Sequence, residues 1–162
     1  MFELLLRLPE AWPIVAHPEI LRTPALWRRL GGRLCLENMD DRKTTGRTPG
    51  ELGELFEQFP EASFCLDLGH ARQLDPTMAS ALRMLREFGG RLRQVHVSEV
   101  GTRGEHLPLG ATARLSFAEV AHRIPADCPL IIESVIEAGQ IERELDAASA
   151  ALEAATAQVA FA

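Results

Sequence analysis

Five short apolar runs, each ending on or carrying a residue able to ligate a metal or move a proton, constrain this chain more than any other feature. The runs are residues 13–16, 33–36, 64–66, 94–97 and 130–132, and the polar residues are His17, Glu37, Asp67, His96 and Glu133. Runs this short and partly β-branched read as buried parallel strands. The polar residues are spaced by 20, 30, 29 and 37 positions, close to the length of one βα unit. A single acid after a strand is most simply an N-cap or a loop residue. Five in series put chemistry at the C-terminal end of strand after strand, which is the habit of (β/α)8 barrels. A Rossmann-type sheet would instead carry its signal in a Gly-rich first turn, and the sequence has none.

Helix signals fill the gaps. Thr23-Pro24 opens a helix over 25–30, with Thr as N-cap and Pro at the first helical position. Thr48-Pro49-Gly50-Glu51 is a capping box before a helix over 52–59. Asp75-Pro76 opens a helix over 77–88 that Gly89-Gly90 stops. Ser116-Phe117-Ala118-Glu119 reads as a second capping box, opening a helix to about Arg123. The Ala- and Glu-rich tail from Gln140 to about Val159 reads as one long helix. Strands and helices therefore alternate five times, an α/β pattern with a parallel sheet. Side-chain alternation turns Cys35 inward with Glu37, Cys65 with Asp67, Gln94 and Ser98 with His96, and Ile131 with Glu133, while Leu34 and Leu36 face the helices.

Composition narrows the function classes. The 162 residues suffice for one domain, and 46% apolar with 25% charged residues is the balance of a globular protein. A net charge of −6 argues against general nucleic-acid binding, which needs a basic footprint. No apolar run approaches the roughly 18 residues of a membrane span, and MFELLLRLPEAW, with Glu3, does not read as a secretory signal. Three cysteines without CxxC spacing point to reduced thiols and a cytoplasmic setting. Cys35 and Cys65 read as free buried thiols, and Cys128 as incidental. His122 reads as a surface residue, Trp12 and Trp27 as packing, Arg91 and Arg93 as structural. Asp40-Asp41-Arg42-Lys43 reads as a solvated loop on the catalytic face, or one touching substrate.

The segments LCLENMDDRK, FCLDLGHA, QVHVSEV followed by EHLPLG, and PLIIES resemble the xylose-isomerase-like, AP-endonuclease-2-type TIM barrels, and IVAHPE resembles the strand before them. The likeness runs from about Pro13 to Ser134. It implies that Glu37, Asp67, His96 and Glu133 hold one divalent ion, Mn²⁺, Mg²⁺ or Co²⁺ with Zn²⁺ also possible, a hard donor set of three carboxylates and one imidazole. In the epimerase branch the first and last of these Glu residues exchange a proton with the substrate carbon from opposite faces, and the ion stabilises an enediolate. The resemblance thus makes Glu37 and Glu133 the acid/base pair. It puts His70, His106, Arg103 and His17 at substrate-binding positions, His17 matching a further metal position of the endonuclease branch. That branch also expects an Asp where this chain has Gly104, which argues against a trinuclear zinc site.

A full eight-stranded barrel needs about 250 residues. The expectation is therefore a partial (β/α)8 TIM barrel, one domain over residues 1–162 with about five parallel strands, the first three units absent. The implied function is a metal-dependent isomerase or epimerase of a small sugar, sugar phosphate or polyol. The alternative is an inactive barrel remnant or a subunit completed by a partner chain. Open strand edges invite association, so the expected partners are a carbohydrate and a second copy or another chain covering the edges, with no nucleic acid and no membrane.

Overall fold

The computed structural model describes residues 2–158. Helix α1 (Phe2–Leu5) precedes β1 (Ile14–Ala16); α2 (Pro24–Trp27) and a 3₁₀ segment (Arg28–Arg33) lead to β2 (Leu34–Glu37). Then follow α3 (Pro49–Gln58), β3 (Ser63–Asp67), α4 (Leu68–Leu74), α5 (Ala79–Phe88) and β4 (Leu92–Val97). A short pair, β5 (Glu99–Val100) and β6 (His106–Leu107), comes before α6 (Ala111–Ala121), β7 (Leu130–Ile132) and α7 (Ile141–Gln158). Strands β1-β2-β3-β4-β7 form one sheet in that order, every pair parallel. This is an incomplete (β/α) barrel of five strands flanked by helices.

The outer face of the sheet is the apolar core. Leu34, Leu36, Phe64, Leu66, Val95 and Val97 are all buried against Leu52, Phe56, Ala81, Met84 and Leu85 of the helices. Phe64 sits edge-on to Phe56 and Phe88, with centroids 6.1 and 6.2 Å away. Truncating it removes the ring that joins sheet to helices, so Phe64→Ala is expected to cost about 3–5 kcal/mol in urea unfolding. A loss under about 1 kcal/mol would show that the helix layer does not depend on this contact.

Strand register decides which residues meet on the inner face. Between β2 and β3, Glu37 lies opposite Cys65. Between β3 and β4 the pairing shifts by one residue, from Phe64 with Leu92 to Cys65 with Gln94 and Asp67 with His96. Because side chains alternate with period two, an unshifted ladder would set Asp67 beside Val95 and turn His96 to the opposite face. The bulge restores the phase, so Asp67 and His96 face the same way.

Several local expectations are corrected. Residues 68–74, for which no helix was expected, form α4. Its N-cap is Asp67, whose Oδ1 accepts from His70 N at 2.7 Å, so the start signal was hidden inside a site residue. Ser116 does not cap a helix; it lies inside α6, where its hydroxyl accepts from Arg72 Nε at 3.3 Å. The helix expected over 25–30 is one α-turn followed by 3₁₀ structure, broken at Gly31 (φ +53°), and Thr23 makes no side-chain cap bond. Helix α5 begins at Ala79, because the Asp75 carboxylate binds the backbone N–H groups of Thr77 and Ser80 and holds the turn open. The Thr48 cap is present, accepting from Glu51 N, but Glu51 turns back to Arg47 N instead of completing the box. Trp12 is exposed rather than packed, its carbonyl accepting from Arg33 Nε. The tail helix matches α7 as far as Gln158; Val159 lies outside the described residues. No helix among the described residues is long and apolar enough to cross a membrane.

Candidate metal centre

The ends of four strands converge. Glu37 closes β2, Asp67 closes β3, His96 lies one residue from the end of β4, and Glu133 follows β7. One donor atom from each lies within 4.8 Å of the others. His96 Nδ1 stands 3.0 Å from Glu37 Oε1 and 3.0 Å from Glu133 Oε1. Its Nε2 lies 2.7 Å from the Gln94 side-chain amide, which fixes the ring plane.

Asn38 positions Asp67. Its Nδ2 donates to Asp67 O at 2.9 Å and its Oδ1 accepts from Asp67 N at 2.7 Å, so a side chain adds one rung to the β2–β3 ladder. Gly69 allows α4 to start there. A Cβ at Gly69 would stand 2.6 Å from Ser98 O and from Val100 Cγ2, so the strand beyond β4 leaves room only for hydrogen.

Electrostatics in the metal-free cluster are uneven. Burial opposes ionisation of Glu37, yet hydrogen bonds from His17 and His96 and the neighbouring imidazole charge hold its carboxyl down at about 2. Burial likewise opposes charge on His96, but Glu133 and Glu37 push it up to about 10. Burial also works against Glu133, and the His96 bond holds it below its usual value. Asp67 fares differently: burial, and then the Glu37 charge, push its carboxyl well above the usual range. Its Oδ2 is buried and accepts no hydrogen bond.

A buried carboxylate with an orphaned oxygen, clustered with two further carboxylates and an imidazole, is what a divalent cation would satisfy. The residues present fit such an ion. Three oxygen donors and one nitrogen suit Mn²⁺, Mg²⁺, Co²⁺ or Zn²⁺.

Three of the other four expected site residues surround the cluster. His17 Nε2 lies 3.3 Å from Glu37 Oε2, and this bond raises the imidazole above its ordinary value. His70 is buried, its Nδ1 2.9 Å from Asn38 O and 3.5 Å from Asp67 Oδ2; burial lowers it. His106 Nδ1 lies 2.8 Å from Ser98 Oγ and 3.6 Å from Glu133 Oε2. Arg103 stays outside this group: its side chain is 89% exposed and reaches Glu105 at 3.5 Å, while its carbonyl accepts from Arg42 Nη1. The Arg42 guanidinium fills the space a Cβ would need at Gly104, which has φ +76°. Arg91 donates to Pro60 O and Ala62 O and Arg93 to Ala11 O, far from the cluster.

No protein-family model, curated protein or solved structure matches this chain. The centre therefore stands on its geometry.

Two residues have contacts the sequence did not reveal. Asp40, in the run read as a solvated loop or one touching substrate, is buried, paired with Arg42 and 3.9 Å from His70 Nε2. Glu144 of α7 is buried and accepts from Leu109 N and Ser134 Oγ, anchoring the residue after Glu133. Nothing in the tail's composition marks Glu144, since the contact exists only once α7 has packed on α6. The Glu-Asn pair did flag Asn38 as part of the motif, without revealing its bridging role.

Proposed function

We propose that this chain is a divalent-metal-dependent isomerase or epimerase of the xylose-isomerase-like kind, acting on a small sugar, sugar phosphate or polyol. The observation that carries the reading is the convergence of donor atoms from Glu37, Asp67, His96 and Glu133, one of which, Asp67, has a buried oxygen that accepts no hydrogen bond. A bound divalent ion supplies a Lewis acid that polarises a carbonyl and its neighbouring hydroxyl. Glu37 and Glu133 are the proton carriers, one carboxylate on β2 and one after the edge strand β7, both held ionised. His106 and His70, with ring centroids 5.6 Å apart, offer hydrogen bonds to hydroxyls at the mouth, and His17 orients Glu37 from the other side.

The test is hydrogen exchange. Protein with Mn²⁺ is incubated in D2O with a panel of ketoses, aldoses and sugar phosphates, and loss of the proton α to the carbonyl is followed by NMR. Exchange is expected with at least one member and is expected to fall about 10²–10⁴-fold in Glu133→Gln, with metal still bound. Exchange that persists in Glu133→Gln removes that residue from the chemistry.

A second reading, a non-catalytic or assembly-dependent subunit, is favoured by the strand edges. Among the described residues β1 and β7 each pair on one side only, and Leu130, Ile131 and Val135 are 37, 41 and 79% exposed. An absence of exchange across the whole panel in metal-loaded protein would favour it.

A further inference from the structure

We propose that the centre is two overlapping metal sites, and that the deeper one, Glu37, Cys65 and His96, takes thiophilic divalent ions such as Zn²⁺ or Co²⁺ through the Cys65 sulfur. The proposal rests on the metal-centre reading above and extends it to a choice of ion. Donor atoms of Glu37, Cys65 and His96 lie within 4.8 Å of one another, as do those of the four-residue set. Glu37 and His96 belong to both. What differs is the remainder: the Cys65 thiol in one set, the Asp67 and Glu133 carboxylates in the other.

Strand register places the two sets at different depths. Cys65 lies level with Glu37 on β2 and with Gln94 on β4, and Asp67 with His96 one inward position higher. An ion bound to Cys65 therefore sits lower in the barrel than one bound to Asp67 and Glu133. Because Glu37 and His96 are shared, one ion at a time fits. Cys65 is fully buried and unbridged, so no disulfide competes for its sulfur. Cys35, also buried and free, stands one inward position below Glu37, opposite Ser63, and is not part of the set.

Ligand softness then sorts the ions. Thiolate favours Zn²⁺ and Co²⁺, whereas Mn²⁺ and Mg²⁺ prefer carboxylate oxygen. Binding at the lower set forms a metal–sulfur bond and releases the thiol proton to water, with no change of oxidation state. The upper set needs no sulfur. The chain is thereby built to hold a hard ion at the level of Asp67 and Glu133 and a soft ion one level beneath.

Cobalt reports the sulfur directly. Co²⁺ titrated into the reduced, metal-stripped full chain is expected to give an intense near-ultraviolet thiolate-to-cobalt charge-transfer band. Cys65→Ser should abolish the band and Cys35→Ser should retain it. Zn²⁺ affinity should fall at least tenfold in Cys65→Ser, while Mn²⁺ affinity changes less than twofold. Co²⁺ bound to the unaltered chain with only weak ligand-field bands overturns the proposal and leaves the four-residue centre standing. A band lost in Cys35→Ser and kept in Cys65→Ser also overturns it. Failure of both Co²⁺ and Mn²⁺ to bind in equilibrium dialysis overturns the proposal and the metal-centre reading together.

Discussion

Asp67→Asn is expected to stabilise the metal-free protein and to abolish Mn²⁺ binding at the same time. In the free protein this carboxylate is a liability. It is fully buried, Oδ2 accepts no hydrogen bond, and Glu37 adds a like charge. Asparagine keeps an oxygen for the helix cap on His70 N and removes the charge, so the cap's contribution of about 1 kcal/mol survives. The amide that replaces Oδ2 becomes a donor beside the Glu37 and Glu133 carboxylates, and a hydrogen bond to a charged group in place of a like charge should gain on the order of 1–3 kcal/mol. The metal-free melting temperature should rise by several degrees, and added Mn²⁺ should no longer raise it. A drop in metal-free stability would mean that Oδ2 is satisfied in solution and that the case for a cation at this site fails. The same sign appears with pH. A carboxyl held above its ordinary value favours the folded state fully below that value and less as pH rises. Metal-free Asp67→Asn should lack this dependence.

Mn²⁺ affinity is expected to climb steeply with pH. His96 is held up at about 10, so at neutral pH its ring carries a proton on the nitrogen that stands 3.0 Å from both Glu37 and Glu133. Binding must displace that proton. Each displaced proton makes the affinity rise about tenfold per pH unit, the equivalent of about 1.4 kcal/mol, and Asp67 adds a second wherever it too is protonated. Titration calorimetry in buffers of different ionisation enthalpy counts the protons directly. A Kd unchanged from pH 6 to 9 would show His96 to be neutral in the free protein.

Metal-free stability should follow the matching signs. The His96 contribution is present below its ordinary value of 6.5 and lost as pH rises toward about 10. The Glu37 contribution is present above its ordinary value of 4.5 and lost as pH falls toward about 2. From these two groups the free protein is firmest between about pH 4.5 and 6.5, and Asp67 tilts the curve toward the acid side.

Much of this was legible because short-range rules governed it. The five strands of the parallel sheet lie where the apolar runs predict, since the face each turns to the helices must be apolar, whereas the antiparallel pair β5–β6 carries no such run and was not expected. The inward and outward sorting of Cys35, Cys65, Gln94 and Leu36 followed from the two-residue period alone. Helix ends were less legible where one residue served two purposes. Asp67 is at once a candidate ligand and the cap of α4, and Ser116, which reads locally as a cap, is occupied by Arg72 from across the fold.

The sequence by itself determined the alternation of elements and the residue types at the strand ends, because both are written in local periodicity and spacing. Tertiary structure alone decided that those residues meet. The one-residue shift between β3 and β4 sets Asp67 beside His96, Asn38 bridges two strands to hold Asp67, and Glu144 reaches from the tail to the loop after Glu133. None of these has a local signature, because each depends on where a distant strand or helix comes to rest. The charge state follows the same rule. Asp67 and Glu37 are both acids at strand ends, and only burial and the placement of His17 and His96 drive one carboxyl up and the other down.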